Sequence, residues 1–345
     1  MATSSTGPTR SQYVGCLIGE CLGDALGRPV EGYDADACQQ YIREALRRWV
    51  DGELPDLIDW SGQYTDDSQL ARELRESLVT QRGWNPVDYA DRIARMFRED
   101  RVVGRGIACD NAARRLNRGI AWDQAGDPAP SAGNGTIMRA APIGLYYLRN
   151  RRELTTVAKE QGWITHHDPR CAAGSVGMAL AVALILDDGA VDRPIDFLGR
   201  LAAAMEPYHA EFARLIEELW MWLDRPEAQA RAHICGAGKA QGFEDGWPGI
   251  SPFVIPSLLW SLYAFLRHPD SYVDAISAAI AVGGDVDTTA AMTGALSGTH
   301  LGIEGVPRAL AMRVNDFGQW GYRELETLAE AAFVHAMADS PGRNG

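Results

Sequence analysis

Several features that would assign this chain to a broad class are scarce or missing. Cysteines number six in 345 residues, at 16, 21, 38, 109, 171 and 235, with no CxxC pair and no dense framework. That excludes a disulfide-stapled secreted fold; the thiols read as reduced and mostly buried, as in a cytoplasmic protein. No apolar run reaches the ~18 residues of a membrane-spanning helix; the longest, 172–186, reads as a buried helix. Residues 1–10 are polar and the apolar stretch after Tyr13 is broken by Glu20 and Asp24, so no signal peptide is expected. Basic residues are in the minority, 33 Lys and Arg against 46 Asp and Glu, for a net charge of −13. An acidic surface repels nucleic acid and anionic lipid, which excludes a general grip on either but not a phosphate-bearing ligand in a local pocket.

What the chain has is helical periodicity. Apolar residues recur at three-and-four spacing over 34–49, 66–81, 86–99, 107–116, 155–161, 172–186, 194–205, 210–223, 255–267, 272–281, 288–301 and 322–337, which predicts an all-α fold. Strand-like alternation is nearly absent, no repeat marks a solenoid, and no linker divides the chain. One compact multi-helix domain over 11–339 is expected, with tails at 1–10 and 340–345. Two Gly- and Pro-rich loops, 123–135 and 227–252, interrupt the helices. Gly15, Gly19, Gly23 and Gly27 recur every fourth residue, as do Gly294, Gly298 and Gly302. Each interior helical glycine costs roughly 1 kcal/mol relative to alanine. Their spacing places each set on one helix face, where another backbone can approach closely.

The chemistry gathers in two acidic clusters, Thr65-Asp66-Asp67 and Asp285-Val286-Asp287-Thr288, each at a predicted helix start and the second preceded by Gly283-Gly284. Either alone would serve as a helix cap, since Thr and Asp satisfy free N–H groups and suit the positive end of the macrodipole. Together they offer four carboxylates and two hydroxyls, an all-oxygen set suited to Mg²⁺ or Mn²⁺ rather than zinc. Four neighbouring negative charges call for neutralisation, which favours two metals over one. A third element, Ser131-Ala132-Gly133-Asn134-Gly135, is a Gly-rich turn ahead of a predicted helix, able to present N–H groups to a phosphate or diphosphate. It is neither a Walker loop nor a dinucleotide fingerprint. The fourth, Thr165-His166-His167-Asp168-Pro169, sets two imidazoles before a helix start without a third zinc ligand at the usual spacing.

In order along the chain, Gly23-Asp24-Ala25-Leu26-Gly27-x-Pro29-x-Glu31, Thr65-Asp66-Asp67-Ser68, Gly133-Asn134-Gly135-x-x-Met138-Arg139-x-x-Pro142-x-Gly144, Thr165-His166 and Gly283-Gly284-Asp285-x-Asp287-Thr288 resemble the motifs of the ADP-ribosylglycohydrolase family. They span roughly residues 13–305. The resemblance implies an all-α fold with a binuclear Mg²⁺ or Mn²⁺ centre at the base of a cleft. Thr65, Asp66, Asp67, Asp285, Asp287 and Thr288 would be its ligands. Ser131, Gly133, Asn134, Gly135 and Met138 would belong to the diphosphate-binding region, with His166 near a phosphate or the distal ribose. Glu31 matches a family glutamate that can cap the metals. The implied reaction is hydrolysis of the glycosidic bond of an ADP-ribosylated protein or small molecule, releasing ADP-ribose. Asp67 and Asp285 are the candidates to take the proton of water.

Two features bear on the substrate. Where some arginine-directed members carry an acidic residue, Val103-Gly104-Arg105-Gly106 has arginine. The 234–247 segment, with Gly236, Gly238 and Phe243, is a candidate wall for the adenosine side. Arginine remains the favoured leaving group. Two other readings are available: an Asp-rich helix of the terpene synthase kind, and an inactive ADP-ribose-binding or toxin-immunity partner. The first fails because Asn315-Asp316 lacks the Ser/Thr and Glu a second metal triad needs. Against the second, all six ligand positions carry competent oxygens.

Overall fold

A computed structural model describes residues 7–52, 60–187, 190–240, 242–243 and 245–338. The helices are α1 (Arg10–Gly27), α2 (Ala35–Tyr41), α3 (Arg47–Val50), α4 (Asp66–Gln81), α5 (Pro86–Arg98), α6 (Ile107–Leu116), α7 (Ala141–Tyr146), α8 (Arg151–Trp163), α9 (Pro169–Ile185), α10 (Pro194–Met205), α11 (Ala210–Glu217), α12 (Trp220–Leu223), α13 (Glu227–Cys235), α14 (Val254–Arg267), α15 (Tyr272–Ala281), α16 (Val286–Leu301), α17 (Arg308–Ala311) and α18 (Tyr322–Ala338). The fold is all-α, as expected. Its one sheet among the described residues pairs β1 (Asp127–Pro128) with β2 (His166–His167) in parallel. No helix among the described residues is long and apolar enough to cross a membrane.

The centre is the antiparallel pair α1 and α16. A Cβ on Gly19 would strike the Gly294 carbonyl oxygen, and one on Gly23 the Ala290 carbonyl. The glycine stripe therefore lets two backbones meet without intervening side chains. From Tyr13 to Gly27 every residue of α1 is buried. Such a helix needs no polar face, and its local period is correspondingly faint. Close approach brings the C-terminal end of α1 against the N-terminal end of α16: Gly27 packs on the Asp287 backbone. Backbone contact thus sets the end of α1, which carries Asp24, against the Asp285–Asp287 segment.

Elsewhere the structure amends the sequence reading. The predicted 34–49 helix divides into α2, a π-helical turn at Ile42–Leu46 and α3, with the Ile42 N–H shared between the Cys38 and Gln39 carbonyls. The 210–223 stretch breaks into α11 and α12, and α12 buries none of its residues. Part of the presumed 227–252 loop is helical, α13, where Ala230 and Ile234 bury one face. Thr9 and Arg10, assigned by sequence to a tail, are the N-cap and first residue of α1, closed by a reciprocal bond pair with Gln12. Of the expected tails, residues 1–6 and 340–345 lie outside the described residues.

Candidate metal centre and active site

Asp24 projects from α1 and caps α4 from outside. Its buried carboxylate accepts from the Thr65 N–H at 2.9 and 3.0 Å, the Ser68 N–H at 3.1 Å and the Ser68 hydroxyl at 2.6 Å. With the helix start satisfied in this way, the Thr65 hydroxyl donates to Asp67 Oδ2 at 2.9 Å. At the other end of the site, Gly283 and Gly284 adopt φ of +76° and +87°, a region only glycine enters readily. Gly284 exchanges hydrogen bonds with the 32–33 backbone, and Ile250 with the 283–285 backbone, all at 2.8–2.9 Å. A Cβ on Gly283 would lie 2.7 Å from the Ala35 nitrogen. This clamped turn sets Asp285 and Asp287 at the start of α16.

The carboxylates converge in two overlapping groups. Asp24, Asp67 and Asp287 offer oxygens within 4.8 Å of one another, and so do Glu31, Asp285 and Asp287. Asp287 is common to both. Asp67 Oδ1 is buried with no hydrogen-bond partner. Burial and mutual repulsion push the Asp66, Asp67 and Asp287 carboxyls well above the usual range. Asp24 is pushed up to about 6, first by burial and against the pull of its Ser68 and Thr65 donors. Asp285 and Glu31 are also raised by burial, and Asp285 adds to the effect on Glu31. An all-oxygen set whose charges are destabilised for lack of counter-charge, with one orphaned oxygen inside it, fits hard divalent cations.

Of the six predicted ligands, Asp67, Asp285 and Asp287 belong to these groups. The Thr65 and Thr288 hydroxyls lie beside them, donating to Asp67 and Asp285 at 2.9 Å. Asp66 turns toward the 103–106 loop, where the Gly106 N–H donates to its carboxylate and its own N–H bonds the Val103 carbonyl at 2.7 Å. Asp24 was visible only as part of a motif, and nothing local marked it as a partner of α4.

The 131–135 loop stands beside this cluster. Asn134 Nδ2 donates to Asp285 Oδ2 at 2.5 Å and to Ser257 Oγ at 3.1 Å. The loop backbone is pinned to the 252–254 segment by Asn134 N–H to Pro252 and Val254 N–H to Ala132. Only a single 3-10 turn, Asn134–Thr136, follows; α7 starts later than the sequence pattern suggested. Met138 is buried in the core. His166, on β2, packs its ring against the loop: a Cβ on Gly133 would lie 3.0 Å from Nε2, and one on Gly135 3.1 Å from Cε1. From this loop a cavity of about 480 Å³ extends past Arg170, Phe243, Trp247 and Phe253. Phe243 is 62% exposed there. Arg105 is held by Asp100 and Asp110 and lies over the Phe97 ring.

An all-α fold with a carboxylate cluster beside a Gly-rich loop defines a class, and comparison with known proteins names it. The chain belongs to the ADP-ribosylglycohydrolase family, matching over residues 5–342. It is 26% identical to the human ADP-ribosylhydrolase ARH3, covering 93% of this chain and 92% of that one. The ADP-ribosylarginine hydrolase Tri1 of Pseudomonas putida is also 26% identical, over 93% of this chain and 78% of its own. Among solved structures, an ADP-ribosylglycohydrolase-related protein complex superposes with a TM-score of 0.65 at 26% identity, covering 95% of this chain and 99% of that one.

Proposed function

We propose that this chain is a metal-dependent hydrolase that cleaves the N- or O-glycosidic bond of ADP-ribosylated substrates and releases ADP-ribose, acting in the cytoplasm. The observation that carries the reading is the Asn134–Asp285 hydrogen bond, which joins the loop suited to a diphosphate directly to the carboxylate cluster. A diphosphate on that loop would leave the distal ribose of ADP-ribose beside the carboxylates. Two Mg²⁺ or Mn²⁺ ions would be held by the two groups that share Asp287, with Thr65, Asp66 and Thr288 adjoining. Bound there, they would supply counter-charge and a grip on vicinal ribose hydroxyls.

The protein's own groups account for the rest. Departure of the aglycone develops positive charge at the anomeric carbon, which the clustered carboxylates stabilise. Asp285 has both oxygens engaged, by Asn134 and Thr288. The free oxygen of Asp67 is buried inside the cluster and suits a cation. Glu31 is the exposed member, near Asp285 and Asp287, so it is assigned to take the proton of the attacking water. For the aglycone we favour arginine. Arg105 is neutralised by two aspartates and does not present a free charge against a guanidinium leaving group.

The test is release of free ADP-ribose from an arginine-linked ADP-ribosyl protein with Mg²⁺ or Mn²⁺, then with excess EDTA. Release abolished by EDTA is expected. A metal-loaded protein inert on arginine-, serine-, ester- and base-linked substrates would overturn the reading in favour of an ADP-ribose-binding or toxin-immunity partner.

A further inference from the structure

Arg139 is completely buried, and every partner it has among the described residues is neutral. Its Nε and Nη2 donate to the side chain and carbonyl of Gln161 at 2.8 and 2.9 Å, and Nη2 also reaches Thr165 Oγ1 at 2.8 Å. Nη1 meets only the Cys109 sulfur at 3.7 Å, and the guanidinium stands over the Tyr89 ring. A buried cation without a carboxylate is costly, and such arginines are ordinarily paired. The two acidic groups that face His166, Asp127 and Asp168, are each neutralised by an arginine of their own, Arg115 and Arg170. No carboxylate among the described residues is in direct contact with the positive charge behind the 131–135 loop; the nearer ones, Asp66, Glu73 and Glu20, act only across Cys109 and Tyr89.

The hydrogen positions follow from the donors. Arginine can only donate, so the Thr165 oxygen accepts from Arg139 and must place its own proton elsewhere. His166 Nδ1 lies at 2.8 Å, and the alternative acceptor, the Gly162 carbonyl, at 3.4 Å. Nδ1 thus accepts, and the imidazole proton sits on Nε2, the nitrogen packed against Gly133. We propose that Arg139, acting through Thr165 and His166, is the positioning residue that reads the anion in the 131–135 loop: it supplies the counter-charge and fixes His166 as a neutral Nε2–H donor to that anion. Burial and the Arg139 charge push the imidazole down to about 3, so it stays neutral in the physiological range. Naming the anion as the diphosphate of ADP-ribose rests on the function proposed above; the tautomer does not.

The experiment uses the full chain with ¹⁵N-labelled histidine. Nitrogen shifts of His166 distinguish the two neutral tautomers and the cation, and ADP-ribose affinity is measured in parallel by calorimetry. The wild type is expected to show the Nε2–H form with no titration between about pH 5 and 8. Thr165→Ser should keep that form. Thr165→Val, close in shape, should lose it and weaken ADP-ribose roughly tenfold, the scale of one lost hydrogen bond. Arg139→Gln should let His166 titrate nearer its ordinary range. An Nδ1–H or cationic His166 in the wild type overturns the proposal, as does a folded Thr165→Val with unchanged tautomer and affinity. A wild type that shows the Nε2–H form yet binds no ADP-ribose overturns the diphosphate reading and leaves the hydrogen-bond relay standing.

Discussion

Replacing Gly23 with alanine tests whether backbone contact between α1 and α16 builds the site. The new Cβ would strike the Ala290 carbonyl oxygen and lie 2.7 Å from its carbon, with Ile276 Cδ1 at 3.2 Å. The first two are backbone atoms of α16, so no rotamer change relieves them and the helices must separate. Overpacking of this kind costs about 1–3 kcal/mol, against about 1 kcal/mol returned by alanine's better helix propensity. The net loss of up to about 2 kcal/mol lowers the melting temperature by up to roughly 3 °C for a chain this long. Gly199→Ala is the control. It lies in α10 with nothing within 4 Å of its would-be Cβ, so only the propensity gain applies and stability should rise slightly. Separation also draws Asp24 on α1 away from Asp287 on α16, so Gly23→Ala should bind Mn²⁺ more weakly while Gly199→Ala should not. Thermal melts and Mn²⁺ titrations of the three proteins decide it. Gly23→Ala melting at or above the wild type, with unchanged Mn²⁺ affinity, would refute the reasoning.

Other outcomes follow from the same geometry. Asp24→Asn replaces two acceptor oxygens with one in front of two N–H groups and a hydroxyl. It should cost about 1–3 kcal/mol and weaken Mn²⁺, read by melting and titration; an unchanged protein would remove Asp24 from the account. Glu20 is fully buried without a hydrogen-bond partner, and burial pushes its carboxyl up to about 8 from an ordinary 4.5. Between those values the folded chain keeps a proton that the unfolded chain releases, so metal-free stability should fall as pH rises through that window. Glu20→Gln should flatten that slope in melts run with chelator, and a slope unaltered by the substitution would rule Glu20 out as its source.

The elements legible in the sequence are those with one wet face. In α5, Tyr89, Ile93, Met96 and Phe97 are buried against solvent-facing arginines, and the predicted 86–99 range nearly coincides with Pro86–Arg98. By contrast α1, buried on all sides, offers little period, and its glycine spacing was the clearer mark. The π turn after α2 and the break between α11 and α12 leave the apolar pattern nearly continuous, so spacing alone could not reveal them. In the site, the acidic pairs announced themselves because four carboxylates at two helix starts are unusual in sequence. Asp24 did not, since its donors lie on α4 and an aspartate in an apolar helix carries no local sign of a remote partner. Arg139 was hidden for the same reason: its meaning lies in having only neutral partners among the described residues, which only packing shows.

The most direct measurement is the number of Mn²⁺ ions bound per chain, followed by paramagnetic resonance as Mn²⁺ is added to metal-free protein, with ADP-ribose release assayed on the same samples. Two ions are expected, with release that rises as they bind and loss of both in Asp287→Ala, because Asp287 is common to the two carboxylate groups. Full release from protein that binds no Mn²⁺ in the presence of excess EDTA would contradict this expectation.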